Sequence, residues 1–151
     1  MFTLTKDGNL SKDGKETKPE MTVQEFMDAF NVPEEAFRIN EEYEVKTYKV
    51  QDTFYDIPCE YDLGFAEDEI VDIEIVISTE PFLDKCDDVA NIQNFQREDC
   101  LKLIEKNIKY KNKDTVMGGR SLIMYITKDS EIDLVQEIMQ AELSIRIDYC
   151  V

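Results

Sequence analysis

The chain has 151 residues and a formal net charge of −17, because it contains 34 Asp and Glu residues but only 17 Lys and Arg residues. This charge argues against a protein that binds nucleic acid by neutralising phosphates, and against one held on anionic lipid. The sequence contains no histidine. That absence excludes Ser-His-Asp and Cys-His nucleophile systems and HExxH metalloproteases.

The N-terminus predicts a short hairpin followed by a mobile segment, together covering residues 1–18. Apolar side chains alternate with threonines in residues 2–5, and Asp7-Gly8 favours the positive φ angles of a tight turn. The first strand is therefore expected to pair with residues 9–11. Residues 12–18 contain a second Asp-Gly pair and are polar enough to form a loop.

A helix is predicted after Pro19. Thr22 is a suitable N-cap, and Glu25 follows it at the three-residue spacing of a capping box. The helix is expected to end at residues 31–33, and its apolar stripe comprises Val23, Phe26, Met27 and Phe30.

The middle of the chain predicts an antiparallel meander of strands joined by short turns. Glu69–Ser78 shows the clearest alternation, with isoleucines on one face and carboxylates on the other. Pro58 is expected to stop the second strand, and Gly64 is expected to form a bulge or a turn. The four predicted strands are Tyr43–Val50, Thr53–Ile57, Tyr61–Phe65 and Glu69–Ser78.

The last third of the chain predicts two helices and two strands. Glu98–Lys109 has a helical apolar stripe with Glu-to-Lys pairs on the other face, preceded by a weaker helical pattern in Asp87–Gln96. Ser121–Thr127 is apolar on both faces, as a central strand would be. Ser130 could cap a helix over Glu131–Gln140, and Leu143–Tyr149 alternates as a final strand.

Together these elements predict one α+β domain spanning residues 1–151. We expect a single sheet, mostly antiparallel or mixed, with about three helices packed on it. The N-terminus shows no secretory signal, so the predicted compartment is the cytoplasm. The four cysteines have no CxxC spacing and are expected to be free thiols rather than zinc ligands or disulfides: Cys59, Cys86, Cys100 and Cys150.

Nearly all of the net charge lies in the middle of the chain. Residues 1–20 are neutral overall and residues 91–151 carry −1, whereas residues 21–90 carry −16, from 20 acids and four bases. A net charge of about 2–8 in magnitude is enough to keep a small domain in solution, so solubility does not account for this concentration. Either a partner uses the field of this segment or the organism has an acidic proteome.

Three motifs have a chemical interpretation, and each also has a simpler one. Glu44-Val45-Lys46 has the carboxylate–lysine spacing of a magnesium nuclease, with Glu34 or Asp28 as the upstream acid, but the negative field of the segment would repel nucleic acid, so a solvated strand face is favoured. The acidic run in residues 67–74 lacks the spacing of a calcium loop. Gly118-Gly119-Arg120 lacks the phosphate-loop patterns and predicts a turn. We therefore expect no enzyme activity, no catalytic residue, no metal ligand and no cofactor.

The acidic middle segment is instead expected to bind a basic protein. Carboxylates would replace substrate phosphates against Lys and Arg side chains of the partner, and exposed aromatic rings would anchor the contact. The predicted function is that of an immunity-protein-like inhibitor, which occludes the basic active site of a nuclease toxin or a nucleic-acid-handling protein. No direct contact with nucleic acid or membrane is expected. The predicted partner-binding residues are Glu41, Glu42, Glu44, Tyr55, Tyr61, Glu67, Asp68, Glu69, Asp72 and Glu74.

Two other functions remain open from the sequence. A structural or adaptor subunit of a larger assembly, including a phage particle, would expose an apolar edge, for which Leu143–Tyr149 is the candidate strand. A carboxylate or metal-dependent enzyme would have a cleft in which acids of raised pKa converge.

Overall fold

The computed structural model of the chain describes residues 1–32, 45–77, 89–116, 120–137 and 142–150. Within these ranges the chain forms ten strands and two helices. The strands lie in two antiparallel sheets, one of three strands and one of seven. The protein is therefore mostly β, and the prediction of an α+β domain with one sheet and about three helices is wrong.

The N-terminal part forms the small sheet and the first helix. β1 pairs with β2, within the residues predicted for its partner, and Thr3 lies opposite Ser11. Asp13 and Gly14 both have positive φ and form a two-residue turn, so an ordered strand replaces part of the loop predicted for residues 12–18. The elements are β1 (Thr3–Leu4), β2 (Leu10–Lys12), β3 (Lys15–Glu16) and α1 (Val23–Phe30).

The predicted helix start is confirmed. Thr22 has extended backbone angles, and its Oγ1 accepts a hydrogen bond from the backbone N–H of Glu25 at 3.1 Å. The helix ends at Asn31, which adopts the left-handed conformation with a φ of 53° and donates its N–H to the carbonyl of Met27.

Replacing the N-cap should lower stability measurably. Thr22→Ala removes the only side-chain acceptor at the start of α1 in the described part of the chain, so we expect the free energy of unfolding to fall by about 1 kcal/mol. Urea unfolding measures this change. Thr22→Ser keeps the hydroxyl and should retain most of the stability; equal losses in both variants would contradict the cap.

The large sheet runs in the order β4-β5-β6-β10-β9-β8-β7. The first three strands form the predicted meander, α2 follows, and the last four strands form a second meander that returns to β6. The elements are β4 (Val45–Phe54), β5 (Ile57–Ala66), β6 (Glu69–Ile77), α2 (Val89–Asn107), β7 (Asn112–Val116), β8 (Arg120–Ile126), β9 (Glu131–Glu137) and β10 (Glu142–Asp148).

The hairpin between β4 and β5 differs from its prediction. Tyr55 and Asp56 both have positive φ and form a two-residue turn, so residues 53–57 are not one strand. Pro58 lies inside β5, where its missing N–H is tolerated because pairing between β5 and β6 begins only at Cys59. The predicted bulge at Gly64 is confirmed, since the register between β5 and β6 shifts after this residue.

The helix predicted for Glu131–Gln140 is wrong, because residues 131–137 form β9. Ser130 does not act as an N-cap: its hydroxyl donates to the carbonyl of Gly8 at 2.7 Å. Ile132 and Leu134 are buried in the core. The apolar residues of this short segment therefore fit the two-residue alternation of a strand as well as the spacing of a helix. Pairing with β8 and β10 on both sides favours the strand.

The last strand is central rather than at an edge. β10 lies between β6 and β9, whereas β4 and β7 are the outer strands of the seven. The prediction of Leu143–Tyr149 as an exposed edge is therefore wrong. β8, predicted as central, lies next to the outer strand β7.

One face of the large sheet carries the core. Buried aromatic and aliphatic side chains of β4, β5, β6, β8, β9 and β10 meet α2 and the N-terminal elements there. The Phe2 ring bridges the two sheets, with its centroid 4.9 Å from that of Tyr61 and 5.2 Å from that of Phe30. The buried Tyr125 hydroxyl donates to Glu105 of α2 at 2.8 Å, which ties the helix to the same face.

Candidate partner-binding face

The second face of the large sheet carries a concentrated array of carboxylates. Strand alternation sends the apolar side chains of β5, β6, β9 and β10 into the core and the intervening charged side chains to the other face. One cluster there, formed by described side chains of β4, β5, β6, β10 and β9, comprises seven carboxylates and two cations, Lys49 and Arg146, and has a formal charge of −5. We call this surface the carboxylate face; its acids are Glu60, Asp62, Asp72, Glu74, Glu131, Asp133 and Asp148.

The strand register brings these residues together from distant parts of the chain. Asp62 lies opposite Lys49 and Glu74, Glu74 lies opposite Arg146, and Arg146 lies opposite Asp133. Directly opposed side chains on neighbouring strands have Cβ atoms about 5 Å apart. The result is a continuous charged row across β4, β5, β6, β10 and β9.

Lys49 is shared between two carboxylates at one end of this row. Its Nζ lies 3.3 Å from Asp62 and 3.5 Å from Glu60. Desolvation lowers the pKa of Lys49, but the two carboxylates more than offset it, so this pKa is raised. The pKa of Asp62 is nevertheless raised as well, because its own desolvation and the charges of Glu60 and Glu74 outweigh the single lysine. The acids here are incompletely neutralised.

Arg146 stands between carboxylates in the same way. Its guanidinium lies 2.9 Å from Asp72 and 4.0 Å from Asp148. Burial raises the pKa of Asp72, and the neighbouring Asp148 opposes the lowering effect of the arginine. Gly64 lies opposite Asp72, and a Cβ on this glycine would be 2.2 Å from the Asp72 Oδ1, so glycine leaves room for the carboxylate.

Asp133 is the most strongly perturbed acid of the face. Burial, reinforced by the adjacent Glu131, raises the pKa of Asp133 to about 7. Its Oδ1 is buried and has no hydrogen-bond partner among the residues that the structure describes. The face therefore holds a carboxyl group that would gain from a cationic or hydrogen-bond-donating partner.

This pKa shift predicts how stability depends on pH. The folded state keeps a proton on Asp133 up to about pH 7, whereas the unfolded chain loses it near its ordinary pKa of 3.8. Asp133 therefore does not lower the free energy of unfolding at acid pH, where it is protonated in both states. It lowers the free energy of unfolding progressively as the pH rises from about 4 to about 7. Asp133→Asn should raise the free energy of unfolding at pH 8 by about 1 kcal/mol, allowing for solvent screening, with little gain at pH 4.

Urea unfolding of both proteins at pH 4 and pH 8 measures this difference. Asp114→Asn is the matched control, because it removes the same charge from the exposed strand β7. A gain in Asp133→Asn that is equal at the two pH values, or equal to that of the control, would contradict the assignment.

An apolar row lies beside the charged one on the same side of the sheet. Val76, Ser144, Val135, Leu122 and Val116 face one another in turn across β6, β10, β9, β8 and β7. Val116 is 53 % exposed. Val135 and Ser144 in the middle of this row are only 6 % and 4 % exposed, so among the described residues the row is open to solvent mainly at its Val116 end.

The predicted partner-binding residues fall into four groups. Asp72 and Glu74 lie on the carboxylate face, and Glu69 is exposed at the start of β6. Glu67 and Asp68 are exposed in the two-residue turn before β6, both with positive φ. The third group consists of the aromatic residues Tyr55 and Tyr61. The fourth group, Glu41, Glu42 and Glu44, lies outside the described residues.

The two tyrosines belong to the interior. Tyr61 is 1 % exposed and donates its hydroxyl to the carbonyl of Thr53 at 2.8 Å. Tyr55 is half-buried, and its hydroxyl accepts the N–H of Leu4 at 2.9 Å. Neither ring is on the carboxylate face, so neither supplies the exposed aromatic anchor that the sequence suggested.

Five acids of the face were not singled out from the sequence: Glu60, Asp62, Glu131, Asp133 and Asp148. Glu60 and Asp62 alternate with buried residues of β5, and this alternation could have identified them. The sequence pattern predicts a helix for Glu131 and Asp133 and an edge strand for Asp148, and neither prediction places these acids near Asp72. Only the pairing of β10 with β6 brings them there.

Family models, curated proteins and solved structures were all compared with this chain, and none of them matches it. Among the described residues, neither helix has both the length and the apolar character that a membrane-spanning helix needs. In the same ranges, no three Cys, Asp or Glu side chains are grouped so that they could hold a metal ion.

Proposed function

We propose that this protein is an inhibitor that binds a basic protein through the carboxylate face. The partner we propose is a nuclease toxin or another nucleic-acid-handling protein, whose phosphate-binding cleft the face would occlude. The observation that supports this proposal is the row of carboxylates across five strands in which the two cations are each shared between acids.

The array suits phosphate mimicry because it is regular and firmly held. Neighbouring strands are about 5 Å apart, and residues two apart along a strand are about 7 Å apart, so the negative groups form a grid of fixed spacing. Their strands belong to a seven-stranded sheet with a large buried core on its other side. Carboxylates in a fixed arrangement lose little conformational freedom on binding, which favours affinity.

A basic partner would also relieve the face of its internal repulsion. Lys and Arg side chains of the partner would add positive charge beside Asp62, Asp72 and Asp133, whose pKa values are raised although Lys49 or Arg146 lies near each of them. A field of one sign speeds association with a partner of the opposite sign and disfavours acidic competitors.

The proposal includes no catalysis by this chain and places it in the cytoplasm. The thiols of Cys59, Cys100 and Cys150 are unpaired, which suits a reducing compartment. The alternative of an enzyme that uses carboxylates requires several acids of raised pKa that converge in a cleft, and Asp133 on the sheet face is one acid whose pKa is raised. The assembly alternative depended on an edge strand at residues 143–149, which is central instead.

Capture followed by an activity assay tests the proposal. The tagged full-length chain is used to retain proteins from the native lysate at low salt, and each retained basic protein is then assayed on DNA and RNA. We expect one partner whose nucleic-acid binding or cleavage is lost when this protein is added in equimolar amount. A basic partner that keeps its full activity in the complex would contradict the inhibitor.

A further inference from the structure

The surface of this acidic protein contains a pocket that is lined mainly by lysines. It encloses about 260 Å³ where the loop after α2 meets the turn between β8 and β9 and the turn between β1 and β2. Its lining comprises three lysines, one tyrosine and one aspartate: Lys109, Lys111, Lys128, Tyr110 and Asp7. The lining alone carries a formal charge of +2 in a chain whose net charge is −17.

The three lysines have no counter-ion in the described part of the chain. All three are exposed, and none forms a salt bridge there, although Lys12, Lys49 and Lys113 each pair with a carboxylate. Lysines after the C-terminus of a helix offset the negative end of its dipole, which accounts for Lys109. That explanation does not extend to Lys128, which belongs to the turn between β8 and β9 and reaches the pocket from a different element.

The walls of the pocket are fixed by backbone hydrogen bonds. Lys109 donates its N–H to the carbonyl of Lys6, and Lys111 donates its N–H to the carbonyl of Ile126, each at 2.8 Å. The carbonyl of Asp7 accepts the N–H of Asp129 at 3.0 Å. Three separate segments of the chain are therefore held in one arrangement before any ligand arrives, which lowers the entropic cost of binding.

Tyr110 gives the pocket an aromatic wall. Its side chain is 38 % exposed, so part of the ring is open to a ligand. The ring also packs edge-to-face on the buried Tyr125, with their centroids 5.0 Å apart. A supported, partly exposed ring is suited to stacking against a planar group, and nearby ammonium groups are suited to a phosphate.

We propose that this pocket binds a small phosphorylated ligand with a planar ring, of the nucleoside monophosphate class. The lysines would hold the phosphate and Tyr110 would stack on the ring system. A pocket of this size lies near the lower limit for small-molecule sites, which fits a mononucleotide rather than a polymer. The net charge of −17 also disfavours a polyanion.

Titration calorimetry of the full chain at low salt tests the site, with AMP as the probe. We expect AMP to bind with a stoichiometry of one, and adenosine and inorganic phosphate each to bind at least about tenfold more weakly. Lys128→Gln should weaken AMP binding about tenfold, and Tyr110→Ala about fivefold or more. Tyr110→Phe keeps the ring and should bind as the wild type does.

Lys102→Gln is the control, because Lys102 is an exposed lysine of α2 that does not line the pocket. Absence of saturable AMP binding at millimolar concentration would overturn the proposal. So would an equal loss in Lys102→Gln and Lys128→Gln, or phosphate binding as tightly as AMP. None of these variants alters the carboxylate face, so this result is independent of whether the inhibitor function holds.

Discussion

Reversing two charges on the carboxylate face should weaken binding of the captured partner at least about 100-fold. Glu74→Lys together with Glu131→Lys would change the formal charge of the face from −5 to −1. Each new lysine would repel basic side chains of the partner, and like charges placed together at an interface cost several kcal/mol, hence this magnitude. Titration calorimetry or surface binding with the purified partner measures the change.

The two positions are chosen so that the fold survives. Glu74 lies between Asp62 and Arg146, and Glu131 lies opposite Asp148, so each introduced lysine meets one existing carboxylate across the strands. The lysine at position 74 also faces Arg146, so urea unfolding of the double variant is measured to show that the fold is retained. Glu16→Lys with Glu98→Lys makes the same change of net charge at two exposed sites away from the face. Equal losses of affinity in the two double variants would mean that only overall charge matters, and the carboxylate face would not be the binding surface.

Gly8→Ala should destabilise the protein by about 3 kcal/mol. Gly8 has a φ of 89°, and a Cβ there would lie 2.2 Å from Thr127 Oγ1 and 2.4 Å from Ser130 Oγ. Thr127 and Ser130 cannot easily move, because both are buried and Ser130 donates its N–H to Thr127 Oγ1 at 3.0 Å. The variant would force apart the two turns that join the small sheet to the large one.

Gly14→Ala separates the two causes of this loss. Gly14 has a similar φ of 79°, but a Cβ added there would meet nothing within 4 Å, so this variant bears only the backbone strain of about 1 kcal/mol. Urea unfolding of both variants gives the difference. If the two glycines gave the same loss, the close approach at Gly8 would contribute nothing beyond the strained backbone.

Local signals in the sequence were sufficient where one short segment determines the structure. Thr22 and Glu25 define the start of α1, and residues 69–77 alternate so clearly that β6 could be predicted almost to the residue. Asp13-Gly14 forms the kind of turn that its composition favours. In each case the chemistry that determines the conformation lies within a few residues of it.

The errors arose where tertiary contacts decide between two local possibilities. The apolar pattern of residues 131–137 fits both a helix and a strand. Pairing with β8 and β10, together with the hydrogen bond from the Ser130 hydroxyl to the Gly8 carbonyl, favours the strand. The position of β10 in the middle of the sheet depends on pairing with β6, some 70 residues earlier in the chain, as in Arg146 opposite Glu74. No local pattern indicates such a partner.

The same limit explains how much of the candidate site could be predicted. The acidic character of the middle segment was evident from the charge distribution, and Asp72 and Glu74 do lie on the carboxylate face. The acids contributed by β9 and β10 come from a segment of nearly balanced charge, so composition gave no sign of them. Tyr61 was expected at the surface, but its size and β propensity place it in the core.

The salt dependence of partner binding tests the electrostatic basis of the proposal most directly. Affinity for the purified partner is measured from low to physiological salt for the wild type and for Glu74→Gln with Glu131→Gln. We predict that the wild-type affinity falls at least about tenfold over this range, and that the neutral variant binds more weakly with a shallower dependence. An affinity that does not change with salt, or an unchanged slope in the variant, would contradict binding through the carboxylate face.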